Sequence, residues 1–154
     1  MKSALLTTLC LLASPAAAQT GEAAKVMEPI ARLFDGMRAH DSTLVLSAFA
    51  SGARLVSKDR SGGLRYLAAE QFAHAVGTAT GDPWDEPIYD PQILIDGDVA
   101  VVWARYDFLR GTAWSHCGID AFMLAKTAEG WKITQLADTR QTTGCTTPKA
   151  PKGQ

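Results

Sequence analysis

The chain has 154 residues, of which 47% are hydrophobic and 20% are charged, and its formal net charge is −1. This length suits one domain with its own hydrophobic core, and the composition is typical of a globular protein. The near-zero net charge gives no electrostatic basis for nucleic-acid binding. No stretch beyond residue 18 approaches the length of a membrane span, so we expect no membrane insertion of the mature chain.

The first eighteen residues have the pattern of a secretory signal peptide. Lys2 supplies a positive charge, a short apolar run covers 4–13, and small residues at 16–18 precede the predicted cleavage point. The apolar run is too short for a membrane-spanning helix. The predicted boundaries are a signal peptide over 1–18, a single domain over 19–145 and a polar, disordered tail over 146–154. We therefore expect a periplasmic or secreted protein.

Helical periodicity dominates the first part of the domain. An apolar stripe over 22–39 predicts a helix, and Pro29 suggests that its regular part begins near that residue. Asp41 or Ser42 is suited to cap a second, shorter helix, which Gly52 is expected to end. The elements predicted next are short strands at 54–57 and 64–67, a helix at 69–76 and a long loop at 78–87.

From Ile88 onward the pattern is that of strands. Asp96-Gly97 predicts a hairpin, a turn is expected at 110–112, and a three-residue loop is predicted at 128–130. Gly130 would take the left-handed position of that last loop. Helices first and a long antiparallel meander last predict an α+β fold, in which the helices cover the concave face of a twisted sheet.

The three-residue loop at 128–130 sets a register for the last hairpin. It predicts the cross-strand pairs Thr127–Trp131, Phe122–Leu136, Asp120–Asp138 and Gly118–Arg140, with His116 one step further on the same face. That face is partly apolar, so we expect it to be covered. Covered acids need partners, and the nearest ones are Arg140 and His116.

Asp120 and Asp138 have two interpretations. Opposed carboxylates raise each other's proton affinity, so one of them could stay protonated and act as an acid. Alternatively, Arg140 with Arg105 or His116 neutralises them as part of an ion-pair network. His116 could likewise serve as a general base or hydrogen-bond donor, or only hold the end of its strand.

Two aromatic residues complete the predicted pocket. With a two-residue loop after the strand 99–109, Asp107 faces His116; with a three-residue loop, Tyr106 does. We favour Tyr106 because an aromatic ring with one polar tip suits a ligand cavity. Trp84 is either a lid or an anchor for its loop. The pocket candidates are Asp120, Asp138, His116, Arg140, Tyr106, Trp84 and Phe122.

Cysteine usage agrees with export. Cys10 is lost with the signal peptide, which leaves Cys117 and Cys145. The register places Cys117 opposite Gln141, four residues before Cys145, so we predict a disulfide. The alternative is a pair of buried free thiols. We find no spacing typical of a metal site and no cofactor or phosphate-binding motif, so neither a metal nor a cofactor is expected.

Four motifs carry a resemblance to a known family. They are I-A-R-L-F-D-G-M-R-A-H-D at 30–41, I-D-G-D-V-A at 95–100, E-G-W-K-I at 129–133 and H-C-G-I-D-A-F at 116–122. With the order of elements they resemble the nuclear-transport-factor-2-like superfamily, and the last motif is similar to its exported bacterial branch labelled putative lumazine-binding. The resemblance covers 22–145 and implies a cone-shaped, strongly curved antiparallel sheet closed by helices, with a pocket inside.

The family includes isomerases, polyketide cyclases, dehydratases and non-catalytic binding domains, which leaves three hypotheses. We favour an exported small-molecule-binding protein over an enzyme, because the sequence has no cofactor motif, phosphate loop or nucleophile elbow, and the first helix has no tyrosine to match that of the isomerases. The second hypothesis is acid–base catalysis through Asp120, Asp138 and His116. The third is a non-catalytic interaction domain. We also expect a homodimer through the outer sheet face, to which the register assigns Ile119, Ala121, Met123, Ala125, Trp131 and Ile133.

Overall fold

The computed structural model describes residues 15–58 and 62–145, with side chains from residue 21 onward. The helices are α1 (Pro15–Ala39), α2 (Ser42–Ser47) and α3 (Ala69–Gly77). The strands are β1 (Phe49–Lys58), β2 (Leu64–Ala68), β3 (Trp84–Asp85), β4 (Ile88–Asp96), β5 (Val99–Arg110), β6 (Ala113–Thr127) and β7 (Gly130–Asp138). The predicted tail lies outside the described residues. So does the predicted signal peptide, apart from its last four residues, which begin α1.

The described strands form one curved, unclosed sheet in the order β2-β1-β7-β6-β5-β3, and β4 also pairs with β5. All pairs are antiparallel except β1 with β7, which run parallel. The prediction of an α+β fold with N-terminal helices is confirmed, and this one parallel pair makes the sheet mixed. The first and last strands of the domain are therefore neighbours, which ties its two ends together.

Helix α1 supplies most of the cover for the concave face. Its buried residues are Val26, Ile30, Leu33, Phe34 and Met37, which is the apolar stripe seen in the sequence. Pro29 does not mark the start of the helix as predicted, because α1 continues through it. Pro29 is fully buried, and we attribute the unbroken helix to tertiary packing that offsets one missing backbone hydrogen bond.

The second helix is shorter than predicted. Asp41 caps it as expected, since its carboxylate accepts a hydrogen bond from the backbone N–H of Leu44 at 2.9 Å. The helix ends at Ser47, and Phe49 already belongs to β1. Gly52 has a φ of +76° and lies within β1, where the register against β7 shifts, so it marks an irregularity in a strand and not the end of a helix.

The last hairpin, β6–β7, has the predicted pairing at its far end, although its loop differs from the predicted one. Its loop has two residues, because Thr127 pairs with Gly130, and so Trp131 faces Lys126 and not Thr127. Gly130 has the expected positive φ, at +102°. A bulge at Thr134 then adds one residue to β7. Beyond the bulge Phe122 pairs with Leu136 and Asp120 with Asp138, as the sequence predicts.

Between the loop and the bulge the pairing of β7 with β6 is shifted by one residue from the predicted register. A slip of one residue exchanges the two faces of a strand. Trp131 and Ile133 are therefore buried in the core and do not belong to the outer sheet face. The indole N–H of Trp131 donates to Glu22 at 2.9 Å, which holds the sheet against α1.

The β5–β6 hairpin also contains a bulge. Arg110 pairs with Ala113, so the loop has two residues, but the extra residue Ser115 shifts the pairing beyond it. Phe108 therefore faces His116, and neither of the two predicted pairings occurs. Tyr106 pairs with Gly118 on the concave side of the sheet. No helix in the described part of the chain has the length and hydropathy needed to cross a membrane.

Candidate functional site

A cavity of about 550 Å³ lies between the concave face of the sheet and the helices. Its apolar wall consists of Leu33, Phe34, Met37, Leu55, Phe72 and Leu136, which come from α1, β1, α3 and β7. Its polar wall consists of Glu86, Ser115, His116, Asp120, Asp138, Arg140 and Thr142. Mostly apolar walls with a few converging polar groups are typical of small-molecule sites.

The position of Tyr106 in this cavity depends on Gly118. The phenol O–H of Tyr106 donates to the backbone carbonyl of Thr139 at 2.7 Å, and its ring lies against Gly118. A Cβ atom at residue 118 would approach the Thr139 oxygen to 1.8 Å and the Tyr106 ring to 2.7 Å. Burial, reinforced by the charge of Glu86, raises the pKa of the Tyr106 phenol, so Tyr106 stays neutral.

The acidic pair at the centre of the cavity is Glu86 with Asp120. Asp120 is 1% exposed, and its carboxyl group is hydrogen-bonded to that of Glu86. Burial and the neighbouring charge of Glu86 raise the pKa of Asp120 well above its usual value. Burial also raises the pKa of Glu86 to about 7, although the hydrogen bond from Asp120 opposes this shift. The two carboxyl groups therefore hold a proton between them at neutral pH.

Asp138 lies directly opposite Asp120 in the ladder, but its hydrogen-bonding partner is a guanidinium group. Arg140 Nε donates to Asp138 Oδ2 at 2.6 Å. This neutralising role of Arg140 was one of the two interpretations that the sequence left open. Arg105, the other arginine considered, pairs instead with Asp90 on β4. The acid that shares a proton with Asp120 is thus Glu86 and not Asp138.

Aromatic rings form a continuous side of the cavity. The Phe108 and His116 rings lie 4.9 Å apart and 31° from parallel, and Trp84 meets Phe108 edge-on at 6.1 Å. The Arg110 guanidinium lies over the Trp84 ring at 5.9 Å. Burial lowers the pKa of His116, and the charge of Arg140 lowers it further. His116 is therefore mainly neutral at pH 7.

Glu86 was missed by sequence reasoning, which assigned 78–87 to a loop without regular structure. The segment contains the two-residue strand β3, and alternation along it places Trp84 and Glu86 on the cavity wall. Asp85 points the other way and binds Arg38 of α1 at 3.0 Å. The W-D-E-P sequence was the available signal, since an acid two residues from a tryptophan in an extended segment shares its face.

The structure brings six of the seven predicted pocket residues to the cavity wall. They are Asp120, Asp138, His116, Arg140, Tyr106 and Trp84. Phe122 is not on the wall: it is fully buried, and Phe34 of α1 meets it edge-on at 6.2 Å. Trp84 lines the cavity and also anchors its own segment through Phe108. Among the described residues, no group of three or more His, Cys, Asp or Glu side chains could hold a metal ion.

The predicted disulfide is present. Cys117 and Cys145 are bonded, with their Cα atoms 6.0 Å apart. Cys117 also forms an isolated bridge with Gln141, as the register predicts, through hydrogen bonds of 3.0 and 2.9 Å. The disulfide closes the segment after β7 onto β6 beside His116, at the cavity end of the sheet.

Comparison with known proteins places the chain in a family. A model of the family described as putative lumazine-binding matches residues 21–136. Among curated proteins no sequence matches. Solved structures with the same fold include a nuclear-transport-factor-2-like protein of unknown function from Shewanella baltica, with 19% identity and a TM-score of 0.64. The alignment covers 79% of this chain and 95% of that one.

Two further structures agree. A nuclear-transport-factor-2-like protein with a cystatin-like fold from Novosphingobium aromaticivorans has 11% identity and a TM-score of 0.69, over 85% of this chain and 88% of that one. A putative dehydratase from Streptomyces avermitilis has 12% identity and a TM-score of 0.64, over 80% and 98%. At these identities the likeness concerns the fold alone. The family match covers most of the chain, so this protein belongs to the putative lumazine-binding family, and its fold is that of the nuclear-transport-factor-2-like structures.

Proposed function

We propose that this protein is an exported binding protein for a small organic molecule, which occupies the cavity between the curved sheet and the helices. The observation that carries the proposal is a cavity of about 550 Å³ with an apolar wall on one side and converging polar side chains on the other. The description of the family as putative lumazine-binding supports a small-molecule ligand.

Identification of a co-purifying ligand tests this proposal. The protein is purified from the periplasm of an expressing bacterium and denatured, and its small-molecule extract is analysed by mass spectrometry. The matched control is Leu55→Trp, which fills the cavity from β1 with a larger side chain. We expect a compound enriched with the wild-type protein and absent from the folded variant. Equal recovery from both proteins would contradict the proposal.

Export is supported by two features. The first eighteen residues have the charge and hydropathy pattern of a signal peptide, and the domain contains the Cys117–Cys145 disulfide, a bond typical of oxidising compartments. Fractionation of a bacterial host that expresses the full chain tests this part. We expect a product in the periplasm whose N-terminus is Gln19. An uncleaved product in the cytoplasm would contradict it.

Acid–base catalysis is the second candidate function, and the Glu86–Asp120 pair favours it. A carboxyl group beside a cavity with a pKa of about 7 can exchange a proton with a bound molecule near neutral pH. The identified ligand distinguishes the two functions. If incubation with the protein converts it, and Glu86→Gln abolishes conversion while the ligand still binds, the protein is an enzyme. If the ligand is recovered unchanged, the protein only binds it.

We also propose a homodimer through the outer sheet face, although the residues of that face differ from those predicted. Trp131 and Ile133 are buried in the core, but Met123, Trp103, Val99 and Leu94 are exposed apolar residues of β4, β5 and β6. Apolar area of this kind is often covered by a second subunit. We expect a dimer mass in sedimentation at micromolar concentration and a monomer for Met123→Asp. A wild-type monomer would contradict the dimer.

A further inference from the structure

The least satisfied polar group in the cavity is the carboxyl group of Asp120. This side chain is 1% exposed, and its Oδ2 atom is buried without a conventional hydrogen bond to any described residue. The polar group that meets it is the carboxyl group of Glu86. An unpaired acceptor in an apolar setting destabilises the molecule, so a hydrogen-bond donor to this carboxyl group would be stabilising.

One proton cannot satisfy both carboxyl groups. When a protonated carboxyl group donates to a second one, each group keeps an oxygen that can only accept a hydrogen bond. The nearby donors of the protein have other partners. The Tyr106 hydroxyl donates to the Thr139 carbonyl, and Arg140 Nε donates to Asp138. A donor for Asp120 must therefore come from the cavity, where water supplies it until a ligand displaces that water.

The charges on the cavity wall limit the charge of the ligand. The Glu86–Asp120 pair with its shared proton carries one negative charge, and Asp138 carries a second. The guanidinium groups of Arg110 and Arg140 balance them, and His116 is mainly neutral because burial lowers its pKa. A charged ligand would leave an uncompensated charge in a partly apolar cavity, which is costly. The wall therefore suits a neutral molecule.

The aromatic side of the cavity favours a ring in the ligand. Trp84, Phe108 and Tyr106 line it together with the His116 ring. Stacked or edge-on contacts between aromatic rings contribute beyond the area that they bury. A flat, unsaturated ligand would make these contacts and still reach Asp120, because all of these residues line the same cavity as Asp120.

We propose that the ligand is a neutral, partly aromatic compound that donates an N–H or O–H hydrogen bond to the Asp120 carboxyl group. This inference rests on the proposed function of the cavity and adds the chemical class of its ligand. It also assigns a specificity role to Glu86. Because Glu86 accepts the hydrogen bond of the protonated Asp120 carboxyl group, the other Asp120 oxygen is left to accept one from the ligand, and the pair carries a single charge.

Two probes of the same shape test the inference. Indole carries an N–H donor, and N-methylindole is closely similar but lacks it. Both are titrated by NMR into the wild-type protein, in a buffer slightly more alkaline than the pKa of Glu86, which is about 7, so that the two carboxyl groups hold one proton between them. A hydrogen bond to a charged or charge-sharing group predicts that indole binds about tenfold or more tightly. Equal, saturable binding of both probes would overturn the inference and leave the proposed function standing.

Two variants locate the preference at Asp120. Asp120→Leu removes the acceptor at similar volume, so indole and N-methylindole should bind equally. Asp120→Asn keeps an acceptor oxygen and offers its amide N–H to Glu86, so the preference for indole should persist. A preference that survives Asp120→Leu would overturn the assignment to Asp120. If neither probe shows saturable binding to the wild-type protein, the proposed function fails together with the inference.

Discussion

The concave face of the sheet has two ends that are built from the same strands and covered by the same helix, yet they differ in kind. At one end, which we name the packed end, Phe122, Leu124 and Ile133 are almost completely buried beneath α1. At the other, the cavity end, Asp120, Tyr106 and His116 border open space. The change occurs within two residues of β6, between Phe122 and Asp120.

The difference shows how one fold provides both stability and a site. At the packed end helix side chains fill the concave face, as in any well-packed core. At the cavity end the sheet carries polar groups whose partners lie directly after β3 and on the segment after β7, and the space between them stays open. Stability at the cavity end must therefore come from specific bonds. The Cys117–Cys145 disulfide and the hydrogen bond from Tyr106 to Thr139 are two of them.

The largest effect should follow a deletion at the packed end. Phe122→Ala removes a fully buried ring that contacts Phe34, and we expect a loss of about 3–5 kcal/mol in the free energy of unfolding. Urea denaturation measures it. The matched variant at the cavity end is Leu136→Ala, which should cost less because Leu136 already borders open space. Equal losses would break the distinction between the two ends.

Removal of the disulfide should cost nearly as much, and the local loosening that accompanies it should be greatest at the cavity end. The bonded cysteines are separated by 28 residues along the chain, which corresponds to about 3.5 kcal/mol in the chain-entropy model. Cys117→Ala with Cys145→Ala should therefore unfold at a lower urea concentration. Reduced wild-type protein is the control and should behave like the double variant. Hydrogen exchange should increase near residue 117 before it increases near residue 122.

A single added methyl group sharpens the comparison further. Gly118→Ala places a Cβ atom 1.8 Å from the Thr139 carbonyl oxygen and 2.7 Å from the Tyr106 ring, so β6 or the segment after β7 must move, and Tyr106 with it. We expect a loss of about 1–3 kcal/mol and a change in the Tyr106 environment, followed by thermal unfolding and tyrosine fluorescence. Gly21→Ala is the matched control, since nothing lies within 4 Å of its Cβ position, and it should be neutral or stabilising. An unchanged free energy of unfolding for Gly118→Ala would contradict this prediction and show that the backbone at Thr139 can move away at little cost.

The smallest effect, counted per pH unit, is a pH dependence of stability at the cavity end. The folded state raises the pKa of Glu86 to about 7, so over the range between its ordinary value of 4.5 and about 7 the folded chain binds more protons than the unfolded one. The contribution of Glu86 to the free energy of unfolding should therefore fall as pH rises through this range, by at most about 1.4 kcal/mol per pH unit, and then level off.

Glu86→Gln separates this effect from the other titrating groups. The variant cannot lose the proton, so its stability should change less steeply between pH 4.5 and about 7 than that of the wild-type protein. Asp120→Asn should reduce the slope as well. Parallel pH profiles for the wild-type protein and both variants would show that the pair is not the source of the dependence.

The sequence allowed much of this architecture to be predicted, because periodicity and turn residues are local signals. The apolar stripe of α1, the cap at Asp41 and the positive φ of Gly130 follow directly from residue types. The pairing of Asp120 with Asp138 was also predicted correctly, but only because two deviations from the predicted hairpin cancel. A loop one residue shorter than expected is offset by the bulge at Thr134.

What could not be predicted depends on features without a local signature. Neither Ser115 nor Thr134 has a residue type that marks a bulge, yet each shifts the pairing by one residue. The acid that meets Asp120 directly follows a two-residue strand, which is too short for any periodicity to reveal. Phe122 was assigned to the pocket because the register places it on the same sheet face as Asp120. How far along that face the side chains of α1 fill the space depends on tertiary packing, which the sequence does not reveal.

The bulges have a consequence for the size of the site. An extra residue in one strand bends it and increases its twist, and β4, β6 and β7 each contain such an irregularity. Deletion of Thr134 would leave the pairs on both sides of it unchanged, but it would straighten β7. A straighter strand would bring the sheet closer to the helices above it. The volume of the cavity thus depends partly on Thr134, a residue that does not line it.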